Sequence, residues 1–232
     1  MRLDFSAFFR FNCVLCQSSL KQGQNGLCST CQRQIKQYVY CGGCGAPLQH
    51  FSCYCGRCGN NEFAWDRMVI VGHYDESLSR LIHCFKYQKQ FWLDRTLARL
   101  LLLSVYEARR NHGLTFPQAI IPVPLYHLRQ WQRGYNQADL LAKTISRWLE
   151  IPCLSHIVKR VKHTHTQRGL SAAIRRQNLK NAFKIDLSKP FPYQRVALLD
   201  DVITTGSTLN EIAKLLRSLG VREIQVWGLA RV

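Results

Sequence analysis

Val196-Ala-Leu-Leu-Asp-Asp-Val-Ile-Thr-Thr-Gly-Ser-Thr208 is the stretch from which the fold can be read. Val196 to Leu199 is a short apolar run that reads as a buried strand, ending in two carboxylates, Asp200 and Asp201. Thr204-Thr-Gly-Ser-Thr208 follows, small and mostly hydroxylated. Leu209 to Leu219 then carries apolar residues at helical spacing, with Gly220 as a stop signal. The expected order is strand, acidic pair, tight loop, helix. A Gly-containing loop feeding a helix N-terminus presents backbone N–H groups and the positive end of the helix dipole, which suit a phosphate. Two carboxylates just upstream repel a phosphate but suit hydroxyls. A phosphorylated sugar with Mg²⁺ near the rest of the ligand satisfies both halves. A Walker B strand also ends an apolar run in acids, but the chain has no G-x-x-x-x-G-K-[ST]. A plain helix cap is the other alternative.

The segment resembles the phosphoribosyl-pyrophosphate (PRPP) loop of type I phosphoribosyltransferases: an apolar strand, Asp-Asp, a two-residue spacer and Thr-Thr-Gly-Ser-Thr. The resemblance implies that Asp200 and Asp201 take the ribose hydroxyls. It also implies that Thr204, Thr205, Gly206, Ser207 and Thr208 wrap the 5-phosphate.

Working outward, strands and helices alternate. Arg67–Tyr74, Ala119–Val123 and Glu223–Val232 read as strands; Leu78–Phe85, Leu93–Arg110 and Gln137–Leu149 read as helices. This predicts an α/β fold with a parallel sheet covered on both faces, and a ligand at the carboxyl ends of the strands, near Pro124 and Asp200.

The N-terminal quarter has another texture. Of eleven cysteines, nine lie between Cys13 and Cys58, as four Cys-x-x-Cys pairs plus Cys53. The spacers inside the two halves are 11 and 10 residues. Each Cys-x-x-Cys turn can present two thiolates to one tetrahedral ion, so two structural zinc sites are expected. The simplest grouping is Cys13, Cys16, Cys28, Cys31 and Cys41, Cys44, Cys55, Cys58. Interleaved pairing is an alternative, and Cys53 could replace a ligand of the second site. Residues 1–62 are therefore read as a double zinc-ribbon domain and 63–232 as the α/β domain. Residues 5–61 contain no Asp or Glu, so the small domain is basic; it either contacts nucleic acid or braces its neighbour.

The 232-residue chain has a formal net charge of +18, which favours a polyanionic partner. No run reaches the roughly 18 apolar residues of a membrane span. Leu100–Val105 is flanked by Arg99 and Glu107, and the apolar start at Phe5 is too short for a signal peptide. A cytoplasmic location is the expectation. Cations and aromatics interleave in 85–92, 126–135 and 151–185, a mixture suited to single-stranded nucleic acid. Arg129, Arg133, Lys159, Arg160, Lys162, Arg168, Arg175 and Arg176 are the candidate contacts.

From end to end the chain resembles the ComF family of competence proteins. The matching features are the four Cys-x-x-Cys pairs, Phe85-Lys86-Tyr87, Ile121-Pro-Val-Pro-Leu125, Arg133-Gly-Tyr-Asn-Gln137, Thr166-Gln-Arg-Gly-Leu-Ser171, Arg176-x-Asn178 and the Asp-Asp loop. The resemblance implies a double zinc ribbon joined to a type I phosphoribosyltransferase-like domain, with Lys86, Pro124 and Leu125 also beside the PRPP. It implies handling of incoming single-stranded DNA, alongside other cytoplasmic DNA-uptake proteins. The alternative is an active transferase that moves the phosphoribosyl group of PRPP, with Mg²⁺, to an acceptor. No base-binding segment for an acceptor is recognisable.

Overall fold

The apolar run that opens the quoted stretch pairs with the last strand of the chain, and these two strands form the centre of the sheet. The computed structural model describes residues 12–21, 24–35, 38–50, 52–56, 58, 63–125, 134–161, 181–186, 188 and 190–232. In chain order the helices are α1 (Ser29–Gln34), α2 (Glu76–Tyr87), α3 (Asp94–His112), α4 (Gln137–Leu149) and α5 (Ser207–Ser218). The strands are β1 (Arg67–His73), β2 (Ala119–Pro122), β3 (Val158–Arg160), β4 (Phe183–Ile185), β5 (Arg195–Ile203) and β6 (Glu223–Arg231). Four of them form a parallel sheet in the order β1-β6-β5-β2, while β3 and β4 form an antiparallel pair.

The strands are buried almost throughout, as a sheet covered on both faces requires. Successive side chains point to opposite faces and build two cores. Val69, Ile120, Leu199 and Trp227 face α2, α3 and α4; Ile70, Ile121, Leu198 and Val226 face α5 and the β3–β4 pair. Asp75 caps α2 by accepting from the Leu78 N–H at 2.9 Å, and α3 stops at Gly113 in the left-handed region.

The cysteine-rich segment shares these cores. Cys13, Leu27, Cys31 and Ile35 pack in the first core, and Tyr40 in the second. Both sheet edges are covered. On β1 the Met68 N–H donates to the Gly42 carbonyl at 2.6 Å. On β2 the Ile120 N–H donates to the Pro152 carbonyl at 2.9 Å.

Two elements differ from the sequence reading. β5 does not stop before the acids but runs through them to Ile203, with Asp200 opposite Gly228 and Val202 opposite Ala230. Ladder pairing to β6 overrides the weak strand preference of Asp. The β3–β4 pair lies inside the basic segment 151–185, where three-residue strands carry almost no periodicity to read. Arg129, Arg133, Lys162, Arg168, Arg175 and Arg176 lie outside the described residues. No helix among the described residues is long and apolar enough to cross a membrane.

Candidate ligand site and metal centres

The two aspartates stand where β5 reaches the carboxyl edge of the sheet. Lys86, in the last turn of α2, places Nζ 2.8 Å from Asp201 Oδ1, with side chains only 15% and 11% exposed. Asp200 Oδ1 accepts from the Asp201 N–H at 2.8 Å. Burial, then the neighbouring charge of Asp201, pushes the Asp200 carboxyl up to about 7; Lys86 and Arg160 act in the opposite direction. Near neutral pH the pair therefore carries less than two full charges, and Asp200 can either accept or donate a hydrogen bond. Such a pair suits vicinal hydroxyls.

The loop after the acids keeps donors open. Thr204 and Thr205 are exposed. Gly206 has φ +74°, and a Cβ there would sit 2.8 Å from the Trp65 ring. Glycine is thus required twice, by conformation and by space. It precedes α5 and supplies no side-chain cap. The Ser207 N–H donates to Thr205 Oγ1 at 3.3 Å, and the Asn210 N–H bonds back to the Gly206 carbonyl at 2.8 Å. Between them, the Thr208 and Leu209 amides have no hydrogen-bond partner among the described residues. These are the orphan donors of a helix start, with the positive end of the dipole behind them.

β2 brings the next group to the same edge. Pro122 is in register with Leu199, and the Val123 N–H donates to the Leu199 carbonyl at 2.8 Å, so Pro124 and Leu125 leave the sheet beside the acids. Asn136 caps α4, accepting from the Ala138 N–H at 3.1 Å, and donates through Nδ2 to the Val123 carbonyl at 3.0 Å. The Tyr135 hydroxyl donates to the Phe85 carbonyl, one residue before Lys86. The Gly134-Tyr-Asn136 motif therefore ties three parts of the edge together. Sequence reading quoted this motif without giving it that role.

Two of the proposed nucleic-acid contacts, Lys159 and Arg160, lie among the described residues. Lys159 is paired with Asp186 at 2.6 Å, while Arg160 lies over the Phe183 ring at 5.6 Å and its charge acts on Asp200.

The cysteines gather as Cys13, Cys16, Cys28, Cys31 and as Cys41, Cys44, Cys55, Cys58, the Sγ atoms of each group all within 4.8 Å of one another. Close pairs are 3.5 to 3.7 Å apart. Four thiolates about 2.3 Å from a tetrahedral ion would stand roughly 3.8 Å apart, so each group could hold one metal ion. Four sulfurs form the donor set of structural zinc and leave no open position. Cys53 is outside both groups; only its carbonyl approaches Cys41 Sγ, at 3.8 Å. All eleven cysteines are free of disulfides.

Trp65 joins the second cysteine group to the loop. Its indole Nε1–H donates to the Gly43 carbonyl at 2.8 Å, inside the Cys41–Cys44 turn, and the far side of its ring lies against Gly206. Beside it, Asn210 Oδ1 accepts from the Ala64 N–H at 2.8 Å, and Arg217 pairs with Asp66 at 2.6 Å. Nothing in the sequence pattern singled out Trp65, because an aromatic at the start of an apolar segment looks like any core residue.

No protein-family model matches the chain. Competence protein F of Haemophilus influenzae is 67% identical over 225 residues, covering 97% of this chain and 98% of that protein. DNA utilization protein YhgH of Escherichia coli is 44% identical, covering 94% and 96%. Competence protein ComFC of Bacillus subtilis is 24% identical, covering 90% and 78%. Among solved structures, a purine phosphoribosyltransferase from Pyrococcus horikoshii covers 60% of this chain and 74% of its own, at 22% identity and TM-score 0.36. Leishmania donovani UMP synthase covers 64% and 22%, at 19% identity and TM-score 0.30. Both structural likenesses are distant. The sequence relatives decide the matter: matched almost end to end at two thirds identity, the chain belongs to the ComF family, the family of Competence protein F.

Proposed function

We propose that the chain serves natural competence by handling single-stranded DNA in the cytoplasm, and that its α/β domain binds PRPP or ribose 5-phosphate. One observation carries the sugar-phosphate reading: the twin aspartates, with Lys86 on one of them, share a sheet edge with a loop and helix start where the Thr208 and Leu209 amides have no partner among the described residues. Asp200 and Asp201 take the ribose hydroxyls. Thr204 to Thr208 take the 5-phosphate through backbone N–H and hydroxyl donors. Lys86, with Pro124 and Leu125 opposite, faces the pyrophosphate, and Mg²⁺ enters with that group as part of the ligand. Each four-cysteine group holds a structural zinc. The names of the relatives, competence and DNA utilization proteins, support the role in competence.

A ligand that binds only the folded state raises its stability by mass action. Millimolar PRPP with Mg²⁺ should raise the melting temperature of the full chain, and ribose 5-phosphate should raise it less. An unchanged melting temperature with both ligands would contradict the site.

A second reading, transfer of the phosphoribosyl group, has one observation in its favour. The Asp200 carboxyl, at the sheet edge beside Asp201 and pushed up to about 7, can take the proton of an acceptor as C1 forms its new bond and pyrophosphate leaves. Pyrophosphate release that depends on an added acceptor and is lost in D200N would establish this reading.

A further inference from the structure

A groove between the first cysteine group, α3 and α4 takes no part in the acid site or the metal centres. It encloses about 580 Å³. Its walls carry Arg95 and Arg99 from α3, Arg147 and Trp148 from the end of α4, and Asn25 and Gln32 from the cysteine-rich segment. Arg95 and Arg99 are four residues apart on one helix, so they stand one above the other, about 6 Å apart along the axis.

All three arginines are exposed, and none has a carboxylate partner among the described residues. No Asp or Glu lines the groove. The adjacent acid Asp94 is engaged from the floor, where the Thr144 hydroxyl donates to its Oδ2 at 2.8 Å. Trp148 leaves 46% of its surface open.

We propose that this groove holds a single strand of nucleic acid, its phosphates on the three guanidinium groups and a base against the Trp148 indole. The cations come from two helices, with Arg95 and Arg99 about 6 Å apart along α3, a spread that suits a chain of phosphates better than a single phosphorylated molecule. An open ring beside cations is the sequence-tolerant platform of single-strand binding, since every base has a face to stack. The Asn25 and Gln32 amides can donate to or accept from any base edge. The inference rests on the single-strand handling proposed above and adds where the strand lies.

The test uses the full zinc-loaded chain and a fluorescent oligothymidylate, with binding read by anisotropy over a salt series. Each phosphate contact on a single strand contributes about 0.7 to the slope of log affinity against log salt. The triple variant R95A/R99A/R147A should therefore lose about 2 from that slope and at least roughly tenfold in affinity near physiological salt. W148A should lose roughly tenfold with the slope unchanged. PRPP-induced stabilisation should be the same in both variants as in the wild type. Wild-type affinity and slope in the triple variant would overturn the groove while leaving single-strand handling in place. A duplex or polyglutamate competing as well as the single strand would also overturn it. A wild type that does not bind the strand would remove both.

Discussion

Lys86 offsets the charge of Asp201, and the contact is sheltered enough to matter: neither side chain is more than 15% exposed. Hydrogen bonds to charged groups are worth about 1.5–3 kcal/mol. K86M should therefore weaken PRPP binding by roughly ten- to a hundredfold, read by calorimetry. It should also raise the Asp200 carboxyl further, because one of the two cations acting on it is gone. That carboxyl sets a pH dependence of its own. It rises from 3.8 to about 7 on folding, so between those values the folded state holds a proton that the unfolded chain has released. Stability should decline as pH rises from about 4 to about 7 and level off above that. D200N should flatten the decline, and melting temperatures across that range decide it; an identical pH profile in D200N would exclude Asp200 as its source. The acid pair itself was legible from two adjacent Asp codes after an apolar run. Its lysine was legible only as part of Phe85-Lys-Tyr87, since the contact between α2 and β5 spans more than a hundred positions and leaves no local trace.

At the scale of elements, the loop is shaped by what lies behind it. Gly206 faces the Trp65 ring on one side, while Thr204 and Thr205 face solvent on the other. G206A must hold a left-handed residue with a side chain, about 1–2 kcal/mol, and push against an indole that Gly43 holds in place. It should lower the melting temperature and lose phosphate-dependent PRPP binding together. W65A should remove the support without touching a ligand, weakening PRPP binding while the salt dependence of single-strand binding stays as in the wild type. An unaffected PRPP affinity in W65A would show that the loop holds its shape unaided. Sequence reading found the main sheet and its helices, because long apolar runs and capped amphipathic segments declare their period. It stopped β5 at Leu199, where only pairing with Gly228 and Ala230 carries the strand onward. It missed β3 and β4, whose three residues each are shorter than any pattern can reveal.

For the molecule as a whole, the cysteine-rich segment works as part of the α/β fold. Its first group feeds one core, its Tyr40 feeds the other, and the turn at Cys41–Cys44 covers the edge of β1. Metal removal should therefore reach the ligand site. C41S should lose one equivalent of zinc by metal analysis and also weaken PRPP binding, through Gly43 and Trp65. C13S should lose one equivalent and destabilise the α3–α4 face with less effect on PRPP. Equal losses from the two variants would deny that the second group supports the loop in particular. The grouping of the cysteines was legible from spacing, as was the surplus of positive charge. Which face each group joins was not, because it depends on how the main sheet and its helices are laid out beneath them. The measurement that bears most directly on the central claim is calorimetric titration of PRPP with Mg²⁺ into the wild type and into D200N/D201N. Saturable binding by the wild type, at least tenfold weaker in a variant that still carries two zinc ions and melts cooperatively, is the predicted result. Equal affinity in the two proteins would contradict it.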